Sequence, residues 1–178
     1  MGADVARLMR PTQRVGRFGL CRVAKAGLVN LHLMTNTTVA TPTIRSVVLD
    51  CPDARALAEF YRDLLGLQYR PGDEPPSPGE PDANGQDWLV LCGAAGSMNL
   101  AFQQVPGLPE PTWPDGPRPQ MLHLDTSVPT VEDLFVQRQR ALDLGARELL
   151  DRSVDPDEPL FVLADLAGHP FCIFVAPA

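Results

Sequence analysis

The chain repeats itself, and the repeat restricts the folds open to it. Residues 88–102 read WLVLCGAAGSMNLAF, and residues 160–174 read LFVLADLAGHPFCIF. The two stretches align without a gap: an apolar run, a short turn holding Gly96 or Gly168, and a second apolar run. Upstream of each lie an apolar stretch and then a helical stretch ending in Leu-Gly, over 53–66 and 130–145. A unit used twice can form one site between its copies, with equivalent positions facing each other.

The spacing of apolar residues assigns the elements. Leu57, Phe60, Tyr61, Leu64 and Leu65 recur at helical spacing, with Asp53 at the N-cap position and Gly66 as the stop. Thr130, followed by Glu132 and Asp133, opens a second helix. Its expected buried side is Val131, Leu134, Phe135, Ala141, Leu142 and Leu144. Strands are expected at 43–49, 67–70, 88–92, 98–105, 121–127, 147–151, 160–164 and 170–175. Residues 71–86, rich in Pro, Gly and acids, read as a mobile loop. Residues 106–119 hold six prolines and can be neither helix nor central strand.

The order is therefore β-α-β-β-β twice. Such an α+β chain places its helices on one face of the sheets. Two half-sheets side by side then curl into an open barrel around a central cavity. The expected organisation is a basic N-terminal extension over 1–42, a first module over 43–105, a Pro-rich linker over 106–119 and a second module over 120–178. The two modules together make one domain, which a chain of 178 residues is long enough to fill.

Charge divides the chain at the same place. Residues 1–40 hold six basic side chains against one acid, whereas the remainder holds nine against 21. An acidic body excludes a nucleic-acid phosphate backbone as partner. No stretch approaches the roughly 18 apolar residues of a membrane span. Met34 opens MTNTTVATPTIRSVVLD, a polar leader into a first strand, so residues 1–33 read as an upstream extension. The four cysteines (Cys21, Cys51, Cys92, Cys172) are scattered without a CxxC and read as reduced thiols of a cytoplasmic protein.

EFYRDLLGLQ at 59–68, HLD at 123–125, LGA at 144–146 and LADLAGHPFCI at 163–173 resemble the vicinal oxygen chelate superfamily, and most of all its glyoxalase-like domains. The resemblance covers residue 43 to the C-terminus. Its members include glyoxalase I, extradiol dioxygenases, epimerases and bleomycin- and fosfomycin-resistance proteins, so the resemblance implies a fold more than an activity. It also implies a cavity built within one chain or across a homodimer by exchange of modules; the linker is long enough for both.

In metal-dependent members one ligand stands on the first strand and one on the last strand of each module. The cation there acts as a Lewis acid on substrate oxygens. Carried over by the repeat, those positions are Ser46, Leu100, His123 and Cys172. Only His123 is a standard ligand for Zn, Ni, Mn or Fe, so no resident cofactor is expected, and His123 is the one position that leaves a metal open. Strand alternation sets Val48, Asp50, Phe102, Gln104, Asp125, Ser127 and Phe174 on the same concave face. A His123–Asp125 pair would orient an imidazole as general base. Phe102 and Phe174 would wall a small organic ligand, contacted also by Ser46, Val48, Leu100, Gln104 and Cys172. His169, at a turn, is expected to be exposed. The expected function is binding of a small organic molecule, with metal-free proton transfer next to a carbonyl. The alternatives are sequestration of a drug or metabolite without chemistry, and a metal-dependent lyase or dioxygenase with altered ligands.

Overall fold

The computed structural model describes residues 42–94 and 97–176. The basic segment before them, the suggested start at Met34 and the turn glycine Gly96 lie outside the described residues. The elements are β1 (Ser46–Cys51), α1 (Ala54–Leu65), β2 (Gln68–Tyr69), β3 (Trp88–Cys92), β4 (Asn99–Gln104), β5 (Leu124–Val128), α2 (Val131–Asp143), β6 (Arg147–Arg152), β7 (Leu160–Ala164) and β8 (Pro170–Val175). The chain is α+β, with two four-stranded mixed sheets in the orders β1-β4-β3-β2 and β5-β8-β7-β6, not a closed barrel. In each sheet the first strand pairs parallel with the last, and the other pairs are antiparallel. Residues 106–119 carry no helix or strand.

α1 forms where the apolar spacing and the end signals agree. Asp53 accepts a hydrogen bond from the Ala56 amide, and Gly66 closes the helix in the left-handed conformation that suits glycine, at φ 67°. Its buried stripe includes Leu57, Phe60, Tyr61 and Leu64. Tyr61 stacks on Phe102 of β4, and both Phe60 and Tyr61 meet the Phe171 ring of β8 edge-on. α1 therefore serves both sheets. Each ring withdrawn from water contributes roughly 1.5–3 kcal/mol. α2 is less committed: only Leu134 and Ala141 are fully buried, whereas Val131 and Phe135, expected inside, are exposed. With α1 holding the shared core, α2 covers only part of its own sheet, and Phe135 touches the edge of Phe161 from outside.

The two halves are pinned at one polar point. The Asp165 side chain, fully buried, opens the turn between β7 and β8. It accepts hydrogen bonds from the Tyr61 hydroxyl at 2.9 Å and from the Ala167 and His169 amides at 2.9 Å each. The His169 Nδ1 lies 2.9 Å from Asp165 Oδ2. The expectation of an exposed His169 is thus corrected: its side chain is only 20% exposed because the turn folds it back onto the carboxylate. Burial alone would lower its pKa, but the hydrogen bond and charge of Asp165 outweigh it, with the Asp50 carbonyl and side chain adding to the rise. Gly168 has φ +90°, and a Cβ there would meet the linker's Glu110 at 2.8 Å.

The loop expected to be mobile is tied down. Arg55 of α1 holds Asp82 through two nitrogens, donates to the Asp73 carbonyl and lies over the Tyr69 ring. Asp73 is buried, pairs with Arg70 and accepts from the Val90 amide. Cys51 and Cys172 are free thiols, whereas Cys92 is disulfide-bonded, which corrects the expectation of a reduced thiol there.

Tyr61→Phe should destabilise the chain by about 1–3 kcal/mol in urea unfolding, because the ring packing survives while buried Asp165 loses a donor. A raised His169 pKa stabilises the fold fully below the ordinary imidazole range and loses that contribution as pH rises through the folded-state value. The stability gap between the natural chain and His169→Gln should therefore be widest near about pH 5 and narrow by about pH 9. A gap independent of pH would contradict the assignment.

Candidate functional site

Each sheet turns one face to the helices and one away from them. The helix side of β5, β7 and β8 is Leu124, Val128, Phe161, Leu163, Phe171, Ile173 and Val175, which belong to or pack against the common core. Alternation then sends Asp125, Ser127, Leu160, Val162, Cys172 and Phe174 to the other face. Leu160 and Val162 are buried there without belonging to the main core cluster. The helix-free face of the second module thus combines an apolar floor with a group of polar side chains.

That group is His123, Asp125 and Cys172. Asp125 and Cys172 are direct partners across the β5–β8 pair, and His123 stands just before β5. His123 Nε2 lies 3.3 Å from Asp125 Oδ1, and one ligand atom from each of the three residues falls within 4.8 Å of the others. The His123 and Asp125 side chains are 44% and 60% exposed, so the group faces outward. The Cys172 thiol is pushed up to about 11 by burial, by the nearby Asp125 charge and by its hydrogen bond to that carboxylate. It is therefore a protonated donor at neutral pH, and not a free nucleophile. Ser127 and Phe174 lie one register step along the same two strands.

The first module does not mirror this arrangement. Ser46, Val48 and Asp50 are on its helix-free face, but their partners on β4 are Asn99, Ala101 and Gln103. Leu100 and Phe102 point into the core, 7% and 0% exposed. Gln104 turns to α1, where its Oε1 accepts from the Ala54 amide. The expected ligand contacts of Leu100, Phe102 and Gln104 are thereby corrected, and Gln103, assigned to the far side, is on the site face. The cause is the hairpin: 93–98 between β3 and β4 is one residue longer than 165–169 between β7 and β8. A gapless alignment therefore slips by one on β4, which flips every side chain. In register, Ala101 and not Leu100 matches Cys172, and Gln103 matches Phe174. Trp113 lies away from the group, in a recess beside Arg118, Arg147, Leu149 and Pro170.

Fold and helix-free face together define a two-module glyoxalase-like protein. Residues 46–174 match the glyoxalase-like domain family, and the chain belongs to it. It is similar in fold to a glyoxalase/bleomycin resistance protein/dioxygenase family enzyme from Burkholderia phytofirmans PsJN, at 16% identity and TM-score 0.53 over 75% of this chain and 98% of that one. A glyoxalase/dioxygenase from Nostoc punctiforme matches at 19% identity and TM-score 0.53 over 81% and 100%. A glyoxalase-related enzyme from Fulvimarina pelagi matches at 16% identity and TM-score 0.52 over 76% and 89%. No curated protein matches the chain.

The metal positions implied by the superfamily do not fit a cation shared between modules. In register they are Ser46, Ala101, His123 and Cys172. Ala101 offers no ligand atom, and a serine hydroxyl is a weak one. The register itself is testable. Leu100→His should cost about 2–5 kcal/mol in unfolding, since it cuts a core contact and buries an imidazole. Asn99→His, on the helix-free face, should stay within about 0.5–1 kcal/mol of the natural chain. The reverse ranking would contradict the assignment of faces.

Proposed function

We propose that this chain binds a small organic molecule on the helix-free face of its second module. The oxygen-bearing end of the ligand meets His123, Asp125 and Cys172, and its carbon frame rests against Phe174, Val162 and Leu160. The observation that carries the reading is the convergence of three chemically different polar groups beside sheltered apolar side chains. Sites for small ligands have this make-up, an apolar lining with a few polar groups that fix orientation. Proton transfer next to a carbonyl belongs to the same reading, with His123 held in place by Asp125 at 3.3 Å. Sequestration without chemistry uses the same surface and is the rival outcome. Among the described residues no helix is long and apolar enough to cross a membrane. A cytoplasmic setting is part of the proposal, supported by the free thiols Cys51 and Cys172 and opposed by the disulfide at Cys92.

The test is a ligand-observed NMR screen of short 2-oxo and 2-hydroxy acids, hydroxyketones and basic aromatic compounds. A hit should lose about tenfold or more in affinity with Phe174→Ala, the scale of a lost buried aromatic contact. Turnover abolished by His123→Ala with binding retained supports the enzyme; binding without turnover in the natural chain supports sequestration. Hits whose affinity is unchanged by Phe174→Ala and His123→Ala together would place the ligand elsewhere and overturn the proposal.

A further inference from the structure

The Pro-rich linker builds a recess that the proposed site does not use. Thr112 and Arg118 close a loop on themselves: the Thr112 amide donates to the Arg118 carbonyl at 2.7 Å, and the Arg118 amide donates to Thr112 Oγ1 at 2.9 Å. Gly116 fits inside this loop because a Cβ there would fall 2.3 Å from Thr112 Oγ1. The loop is fixed to the second module where Glu110 crosses the bare backbone of Gly168 and reaches Arg147 at 3.4 Å. Between loop and module lies a recess of about 330 Å³, walled by Pro111, Trp113, Leu149 and Pro170, with Asp115 and Arg118 at its rim.

The charges at that rim are unusual for this chain. Arg55, Arg62, Arg70, Arg138, Arg147 and Arg152 each pair with a carboxylate. Among the described residues the Arg118 guanidinium pairs with none, and the Asp115 carboxylate has no donor, although both line the same recess. Glu110 and Arg147 occupy each other on the far side. Two opposite charges that share a recess without meeting leave room for a ligand that carries both.

We infer that this recess binds an aromatic α-amino acid. The ring of the ligand packs against Trp113, between the rigid faces of Pro111 and Pro170. Its carboxylate takes the planar fork of the Arg118 guanidinium, which suits two parallel hydrogen bonds. Its ammonium group donates to Asp115. The volume is at the small end of ligand pockets, about 300–1,000 Å³, which fits a single amino acid. A loop already closed by its own hydrogen bonds loses little freedom when a ligand arrives. The site shares no residue with His123, Asp125, Cys172 or Phe174 and stands or falls apart from the proposed function.

The test is calorimetric titration of the full chain with L-phenylalanine, with hydrocinnamate, which lacks the ammonium group, and with phenethylamine, which lacks the carboxylate. The indole N–H resonances are followed in parallel; the chain has two tryptophans, and Trp113→Phe assigns them. Phenylalanine should bind one to one and shift the Trp113 signal while that of Trp88 stays. Each analogue should bind at least about tenfold more weakly, the scale of one lost charge-assisted hydrogen bond. Arg118→Gln should bring phenylalanine down to the level of phenethylamine, and Asp115→Asn down to that of hydrocinnamate; both side chains are exposed, so the fold survives either change. Arg62→Gln, which removes an exposed arginine of α1, should leave the affinity unchanged. No saturable binding of phenylalanine, analogues that bind equally well, or an affinity indifferent to both Arg118→Gln and Asp115→Asn would overturn the inference. An affinity lost with Phe174→Ala but kept in both rim variants would also overturn it, and would support the proposed function instead.

Discussion

The architecture depends on a single buried carboxylate. Asp165 sits in the turn that aims β8, and every partner it needs is supplied: a hydroxyl from α1 of the other module, two amides of its own turn and the His169 ring. A buried charge is tolerated only with such complete satisfaction. The same contacts hold Tyr61 between Phe102 and Phe171, so the polar pin and the aromatic core that joins the two sheets are one unit. Removing the pin would loosen the seam and the start of β8 together. Cys172 and Phe174 lie on that strand, so the pin also supports the helix-free face of the second module.

The two copies of the module have diverged on the faces that matter for chemistry. On the helix side they remain alike, with Leu100 and Phe102 in the places of Phe171 and Ile173. On the helix-free side the first copy has Ser46, Val48, Ala101 and Gln103 where the second has His123, Asp125, Cys172 and Phe174. Packing requires only apolar volume of about the right shape, so it is kept in both copies. A ligand-contacting group requires particular heteroatoms at particular positions, and among the described residues the second copy brings an imidazole, a carboxylate and a thiol together. The proposed site is therefore placed in one half and not symmetrically between the modules.

Much of this was legible before the structure. The helix caps Asp53 and Thr130, the order of strands and the shared face of His123 and Asp125 follow from short-range pattern, which a sequence carries directly. β4 was misread because an extra residue in the preceding hairpin is invisible to a gapless alignment, and period-2 alternation turns that slip into the wrong face for Leu100, Phe102 and Gln104. Cys172 is expected as a ligand contact, but nothing local indicates that Asp125 stands directly across from it. His169 was misplaced for a different reason: its environment depends on a carboxylate four residues back and on a tyrosine 104 residues from that carboxylate. Asp-x-x-Gly-His in the turn was the available signal. The anchoring of 71–86 likewise depends on Arg55, whose partners lie 18–27 residues away.

The central proposal is that the second module alone carries the ligand-contacting group of this protein. Chemical-shift mapping of a bound small-molecule hit on the full chain tests it most directly, because it reads which residues the ligand approaches. The account predicts shifts at His123, Asp125, Cys172 and Phe174 and none at Ser46, Val48 or Gln103. Shifts confined to the first module, or spread equally over both, would contradict it.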